Sequence, residues 1–177
     1  MKASEFNIFD MSKGVNYPED HVTVYTDVAT AYEIDKIDKI LNSPLKYNVE
    51  DPEALEKDRD KLLEKLKGTS FEVHLQGLPD RVVSDLREEL DAEFGSGVNP
   101  PARLRKFQVW LIAKSLRKAV FTDGTEQDLS EYAEDYDKVD MWFHSLPAEA
   151  QKRIDDMVYN LSLTTNYFEN AEITSDF

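Results

Sequence analysis

Three histidines, His21, His74 and His144, are the side chains best suited to acid–base work or metal ligation near neutral pH. None stands in an HExxH or comparable metal-ligand spacing. His21 and His74 fall on the polar phases of two alternating segments. Acidic pairs such as Asp155/Asp156 and Asp58/Asp60 are adjacent or nearly so on helix faces that read as solvated. General acid–base chemistry needs a buried or coupled pair, and a chain with 36 Asp and Glu residues makes such neighbours by chance. The chain has no cysteine, hence no thiolate nucleophile, thiolate metal site or disulfide. It lacks a phosphate-cradling GxxxxGK[ST] loop, a GxGxxG turn and a GxSxG elbow. Asp123-Gly124, followed by Glu126 and Asp128, lacks the ligand spacing of an EF-hand. The expectation is a protein without catalytic residues, bound metal or cofactor.

The elements that carry these residues read as mostly helical. The longest apolar run, Val109 to Ala113, lies within Phe107–Val120, FQVWLIAKSLRKAV. Its apolar residues recur at three and four, which predicts a helix reaching Val120, covered on several sides and basic at its end through Lys114, Arg117 and Lys118. HVTVYT (21–26) and FEVHLQ (71–76) alternate and predict two short strands of a small sheet. Between them, residues 28–41 predict an amphipathic helix capped by Asp27, with Ala31, Ile34, Ile37 and Leu41 inward. Asp51-Pro52-Glu53 starts a second helix that Gly68 ends; its apolar seam is narrow and its charges pair at three and four.

Residues 81–94 predict a helix with Val83, Leu86, Leu90 and Phe94 on one stripe. Gly95 to Pro101 predicts a hinge. Arg103, Arg105 and Lys106 open the next helix at its less favourable end for positive charge, so acidic neighbours are expected to answer them. Residues 126–140 predict an acidic helix running on into Met141-Trp142-Phe143, and Pro147-Ala-Glu149 begins a last helix with Ile154, Met157/Val158 and Leu161 inward. The fold class expected is α+β, predominantly helical. Its regions are an arm (1–20), a strand/helix region (21–94), the hinge (95–101), a helical region (102–163) and a tail (164–177).

Charge limits the partners. Twenty-one Lys and Arg against 36 Asp and Glu leave −15, a field that repels nucleic-acid phosphates and acidic membranes and favours basic surfaces. Mean hydropathy is −0.56, and no run approaches the roughly 18 apolar residues of a bilayer span. MKASEFNIFD, with one lysine and no apolar stretch, does not read as a secretory leader. A reducing cytoplasm is the expected setting.

From residue 70 onward the arrangement is distinctive. FEVHLQGLP leads into a charged helix, a Pro-containing loop and the apolar helix FQVWLIAKSL. An acidic linker, a helix ending WFHSLP (142–147), a final helix and a tail ending ITSDF follow. This order resembles the tail assembly chaperones of long-tailed bacteriophages, especially those of actinobacteria. The resemblance implies a non-catalytic helper in the cytoplasm of an infected bacterium. Such a helper would bind the long helical tape measure protein, help recruit tail tube subunits, and in many cases also be made in a longer frameshifted form. Trp110, Trp142 and Phe143, with Tyr167, Phe168 and Phe177 of the tail, are the aromatic candidates for partner contact, and self-association is a further option. Two other readings compete: an acidic DNA mimic inhibiting a host defence nuclease, and a virion structural or adaptor protein that locks onto neighbours through its arms.

Overall fold

The computed structural model describes residues 17–43 and 51–163. It has an antiparallel four-stranded sheet in the order β1-β2-β3-β4: Glu19–Tyr25, Ser70–Gln76, Leu116–Phe121 and Glu126–Asp128. The fold is α+β and predominantly helical, as expected. The helices are α1 (Val28–Leu41), α2 (Pro52–Lys67), α3 (Asp80–Phe94), α4 (Pro101–Ser115), α5 (Tyr136–Ser145) and α6 (Ala148–Leu163), with a 3-10 turn at Ser130–Tyr132.

Cross-strand register sorts the sheet into two faces, because directly opposed residues share a side. Val22 faces Val73, Val24 faces Phe71, and Val73 also faces Ala119. Val22, Val24 and Val73, with Phe71 packed alongside, meet the helices in one cluster that includes Leu75, Leu86, Leu90, Ile112, Leu116, Phe143, Ile154 and Val158. Residues from both sides of the 95–101 loop share that core. On the other face His21 opposes His74, Thr23 opposes Glu72 and His74 opposes Lys118. Gly77 lets α6 close onto the end of β2: a Cβ there would stand 2.5 Å from the Leu161 carbonyl oxygen. The Ser162 hydroxyl accepts the Leu78 amide at 3.2 Å across the same contact.

Two expectations fail. The helix from Phe107 does not reach Val120. It ends at Ser115 and passes with no loop into β3, where Leu116–Phe121 completes the ladder left open on β2. Side-chain period at 114–120 is compatible with a helix, but backbone pairing to β2 overrides it. Nor is 126–140 one acidic helix. Asp123 and Gly124 (φ 82°) close a β3–β4 hairpin, with the Asp123 carboxylate accepting the Thr125 amide at 2.8 Å. Helix starts only at Tyr136, behind the Asp135 cap, whose carboxylate accepts the Lys138 amide.

α1 and α2 form an antiparallel hairpin that leaves the sheet between β1 and β2 and packs mainly on itself. Asp27 anchors its root. The Asp27 carboxylate accepts the Thr30 amide at 3.0 Å and the Thr30 hydroxyl at 2.6 Å, and Lys65 of α2 stands 3.2 Å away. Ile34 and Leu66 are buried in the hairpin seam but lie outside the main core cluster.

Candidate functional site

An apolar opening lies where the β3–β4 hairpin meets α5. It is a groove of about 230 Å³. Sheet alternation turns Phe71, Ala119 and Phe121 toward it, and the 3-10 turn contributes Leu129 and Tyr132. From α5 come Val139 and Trp142, three residues apart on one face. Phe71 and Phe121 pack as a cross-strand pair with ring centroids 5.8 Å apart, and Phe121 is 39% exposed. The Lys138 ammonium caps the Tyr132 ring at 3.9 Å. The arrangement can hold an apolar or aromatic side chain from outside; it presents no acid–base pair.

A second, more polar groove of about 450 Å³ runs between α4 and α5. Trp110 stacks on Tyr136 at 4.8 Å along it. Arg105 reaches Asp140 at 2.7 Å, Lys106 reaches Glu93 at 2.5 Å, and Lys114 pairs with Glu134. Arg103 reaches Asp91 at 2.6 Å. The basic cluster of α4 thus answers acidic neighbours, as expected. The Lys114 ammonium holds the Glu134 carboxyl below its ordinary pKa. Burial pushes the Tyr136 phenol up, against the pull of Lys114. Every cation in this groove has an anion, so it acts as an ion-paired seam between helices.

The predicted aromatic anchors divide. Phe143 is 1% exposed and belongs to the core, so it has no face for a partner. A position one residue from Trp142 on a helix turns about 100° away, and here that direction is inward. Trp110 is also buried, at 6%. Trp142 alone of the three borders the apolar groove. Tyr167, Phe168 and Phe177 lie outside the described residues. Phe71 and Phe121 were missed as contact residues. The missing signal was β3: once Phe121 ends a strand paired to Phe71, both aromatics fall on one face.

His144 holds its Nδ1 2.9 Å from the Asp140 carbonyl oxygen, an ordinary contact at the end of α5. His21 and His74 do lie on the polar face of the sheet and stack at 5.3 Å. Among the described residues no helix is long and apolar enough to cross a membrane. Comparison with known proteins finds no matching family model, no similar curated protein and no similar solved structure.

Proposed function

We propose that the protein is a non-catalytic binding helper of the tail-assembly chaperone kind. It would hold apolar helical segments of a phage tape measure protein in the cytoplasm of the infected cell and help bring tail tube subunits to them. The observation that carries this reading is the open groove walled by Phe71, Phe121 and Trp142. A long helical partner exposes apolar stripes before it is enclosed, and a concave aromatic surface on an acidic protein can cover them one turn at a time. The element order from β2 to α6 supports the same reading, with β3 added between the apolar helix and the acidic linker. A DNA mimic draws less support. It needs carboxylates spaced along a surface like phosphates, whereas here Lys and Arg stand against many of the acids, as in Arg59–Asp38, Lys61–Asp58 and Lys67–Glu64.

The test is a titration of the full chain with helical segments of the tape measure protein, read by tryptophan fluorescence and calorimetry. Phe121→Ala and Trp142→Ala should each weaken binding about tenfold or more, some 1.4 kcal/mol. Phe121→Ala should leave the melting temperature nearly unchanged. Binding through apolar contact should persist as salt rises. Unchanged affinity in both variants, or capture instead of a basic nuclease that salt releases, would overturn the proposal.

A further inference from the structure

The sheet has two edges, and they differ. β4 is three residues long and gives an incoming strand little to pair with. β1 is seven residues long and pairs only with β2. The hydrogen bonds at its ends fix which backbone groups face outward. The Gly77 amide donates to the Pro18 carbonyl at one end, and the Thr26 amide donates to the Thr69 carbonyl at the other. Both pairs extend the register that sets Glu19 against Gln76 and Tyr25 against Ser70. Hydrogen-bonded pairs alternate along an antiparallel ladder, so Asp20, Val22 and Val24 direct their amides and carbonyls to β2. Glu19, His21, Thr23 and Tyr25 turn theirs to the open edge. The Asp20 carboxylate covers the outward His21 amide at 2.8 Å. Among the described residues nothing accepts from the Thr23 or Tyr25 amide.

Two hollows lie along this edge, between it and α6. The first, about 160 Å³, opens beside Thr23 and Tyr25, and Val28, Ala31, Pro147 and Ala150 give it an apolar wall. The second, about 400 Å³, opens beside His21 and Thr23 and is lined by Asp156 and Met157 of α6. The two stand two strand residues apart, about 6.8 Å, which is the spacing of successive side chains on one face of a strand. Arg153 lies between them and is bound to Glu149 at 3.0 Å. Asp156 has no ion pair among the described residues.

We propose that β1 is a docking edge for an extended segment of a basic protein, which joins the sheet as a fifth strand antiparallel to β1. Directly opposed residues share a face. The incoming residue opposite Val24 therefore enters the apolar hollow, and the one opposite Val22 reaches Asp156. Read from its N-terminal side, the segment runs small apolar residue, polar residue, then Lys or Arg. Main-chain bonds at Thr23 and Tyr25 supply affinity, and the hollows supply selectivity. Charge chooses the partner. Glu19, Asp20, Glu72 and Asp156 border the edge, a field that draws a cationic segment and opposes a second copy of this acidic chain. The site is independent of the groove at Phe121 and Trp142.

The experiment is fluorescence anisotropy of the full chain with a labelled peptide, Ser-Thr-Val-Thr-Lys-Thr-Ser. Expected is saturable binding that weakens about fivefold or more when Glu replaces Lys. In the antiparallel pairing the three Thr amides of the peptide face β1, whereas its Val and Lys amides face away. N-methylation of the Thr amides should abolish binding, and N-methylation of the Val and Lys amides should spare it. Thr23→Pro removes an outward donor without touching the β1–β2 ladder, a change an edge strand tolerates. It should weaken binding about tenfold or more while melting stays nearly unchanged. Asp156→Lys leaves β1 intact and should reverse the preference, favouring the Glu peptide. Phe121→Ala should bind the peptide as the parent does. No saturable binding, binding that survives methylation of the Thr amides, or an unaltered preference for Lys in Asp156→Lys overturns the proposal. So does sedimentation showing the free chain to be a dimer that Thr23→Pro dissociates, because a second copy then occupies the edge.

Discussion

The α1–α2 hairpin and the α4-centred body use helices of similar length in opposite ways. In α4, Val109, Trp110, Leu111, Ile112, Ala113 and Ser115 are all buried, so nearly the whole circumference of its second half is covered. In α1 only Thr30 and Ile34 are buried, and in α2 only Leu66. Half-buried Ile37, Leu62 and Leu63 fill out the seam, Arg59–Asp38 at 2.5 Å bridges the two helices, and Lys39–Asp35 and Lys61–Asp58 pair within α1 and within α2, all three pairs substantially exposed. Exposed pairs contribute about 0–1 kcal/mol each, whereas one buried large side chain contributes about 1.5–3 kcal/mol. The body is thus a cooperative core, and the hairpin is an appendage held by caps, a thin seam and helix propensity. Val28, Tyr32 and Ile40 stand exposed on it, leaving apolar surface free for contact.

The largest effects should come from the body. Phe143→Ala opens a cavity at a fully buried site and should cost about 3–5 kcal/mol, lowering the melting temperature by about 6–20 °C. Differential scanning calorimetry checks this. Gly77→Ala should cost about 1–3 kcal/mol, because the new methyl meets the Leu161 backbone carbonyl and α6 must shift. Parental melting in that variant would mean that α6 does not close on β2 as described.

The hairpin should answer differently. Ile34→Ala should speed amide exchange across α1 and α2 about tenfold or more, near 1.4 kcal/mol of local opening, and leave the main melting transition almost in place. Native-state hydrogen exchange reads both regions in one experiment. If Ile34→Ala instead lowers the main transition as far as Phe143→Ala, the two regions fold as one unit and the contrast between them fails.

What was legible in the chain follows the same division. The hairpin helices, β1, β2, α3 and α6 announce themselves because each has a clean period and explicit punctuation: Asp27, Asp51-Pro52 and Gly68 for the hairpin, Pro147 for α6. The β3–β4 region does not. Ser115 runs into Leu116 without a turn residue, and Lys114, Arg117 and Lys118 keep a helical spacing through the junction. What makes Leu116–Phe121 a strand is the unpaired edge of β2, a partner more than forty residues away in sequence, which local pattern cannot report. The same blind spot hid the groove. Trp142 was legible as a large aromatic, but Phe71 and Phe121 become its neighbours only through the β2–β3 register. The His21–His74 opposition is likewise a matter of register, although both residues were legible on polar strand phases.

The smallest effect is a test of the hairpin's root by pH. The Thr30 hydroxyl and amide, with help from Lys65, hold the Asp27 carboxyl down to about pKa 2. A carboxyl whose folded pKa is depressed stabilises the fold above its unfolded value, near 3.9. That contribution is fully present at neutral pH and is lost as pH falls from about 4 through 2. Amide exchange at the start of α1 should therefore quicken over that window, ahead of exchange in α4. Asp27→Asn keeps a capping oxygen but removes the charge, so its α1 amides should lose this pH dependence while the helix still forms. If α1 in Asp27→Asn still loosens between pH 4 and 2, the Asp27 carboxylate does not govern its acid response. The root would then be no more sensitive than the exposed ion pairs along its length.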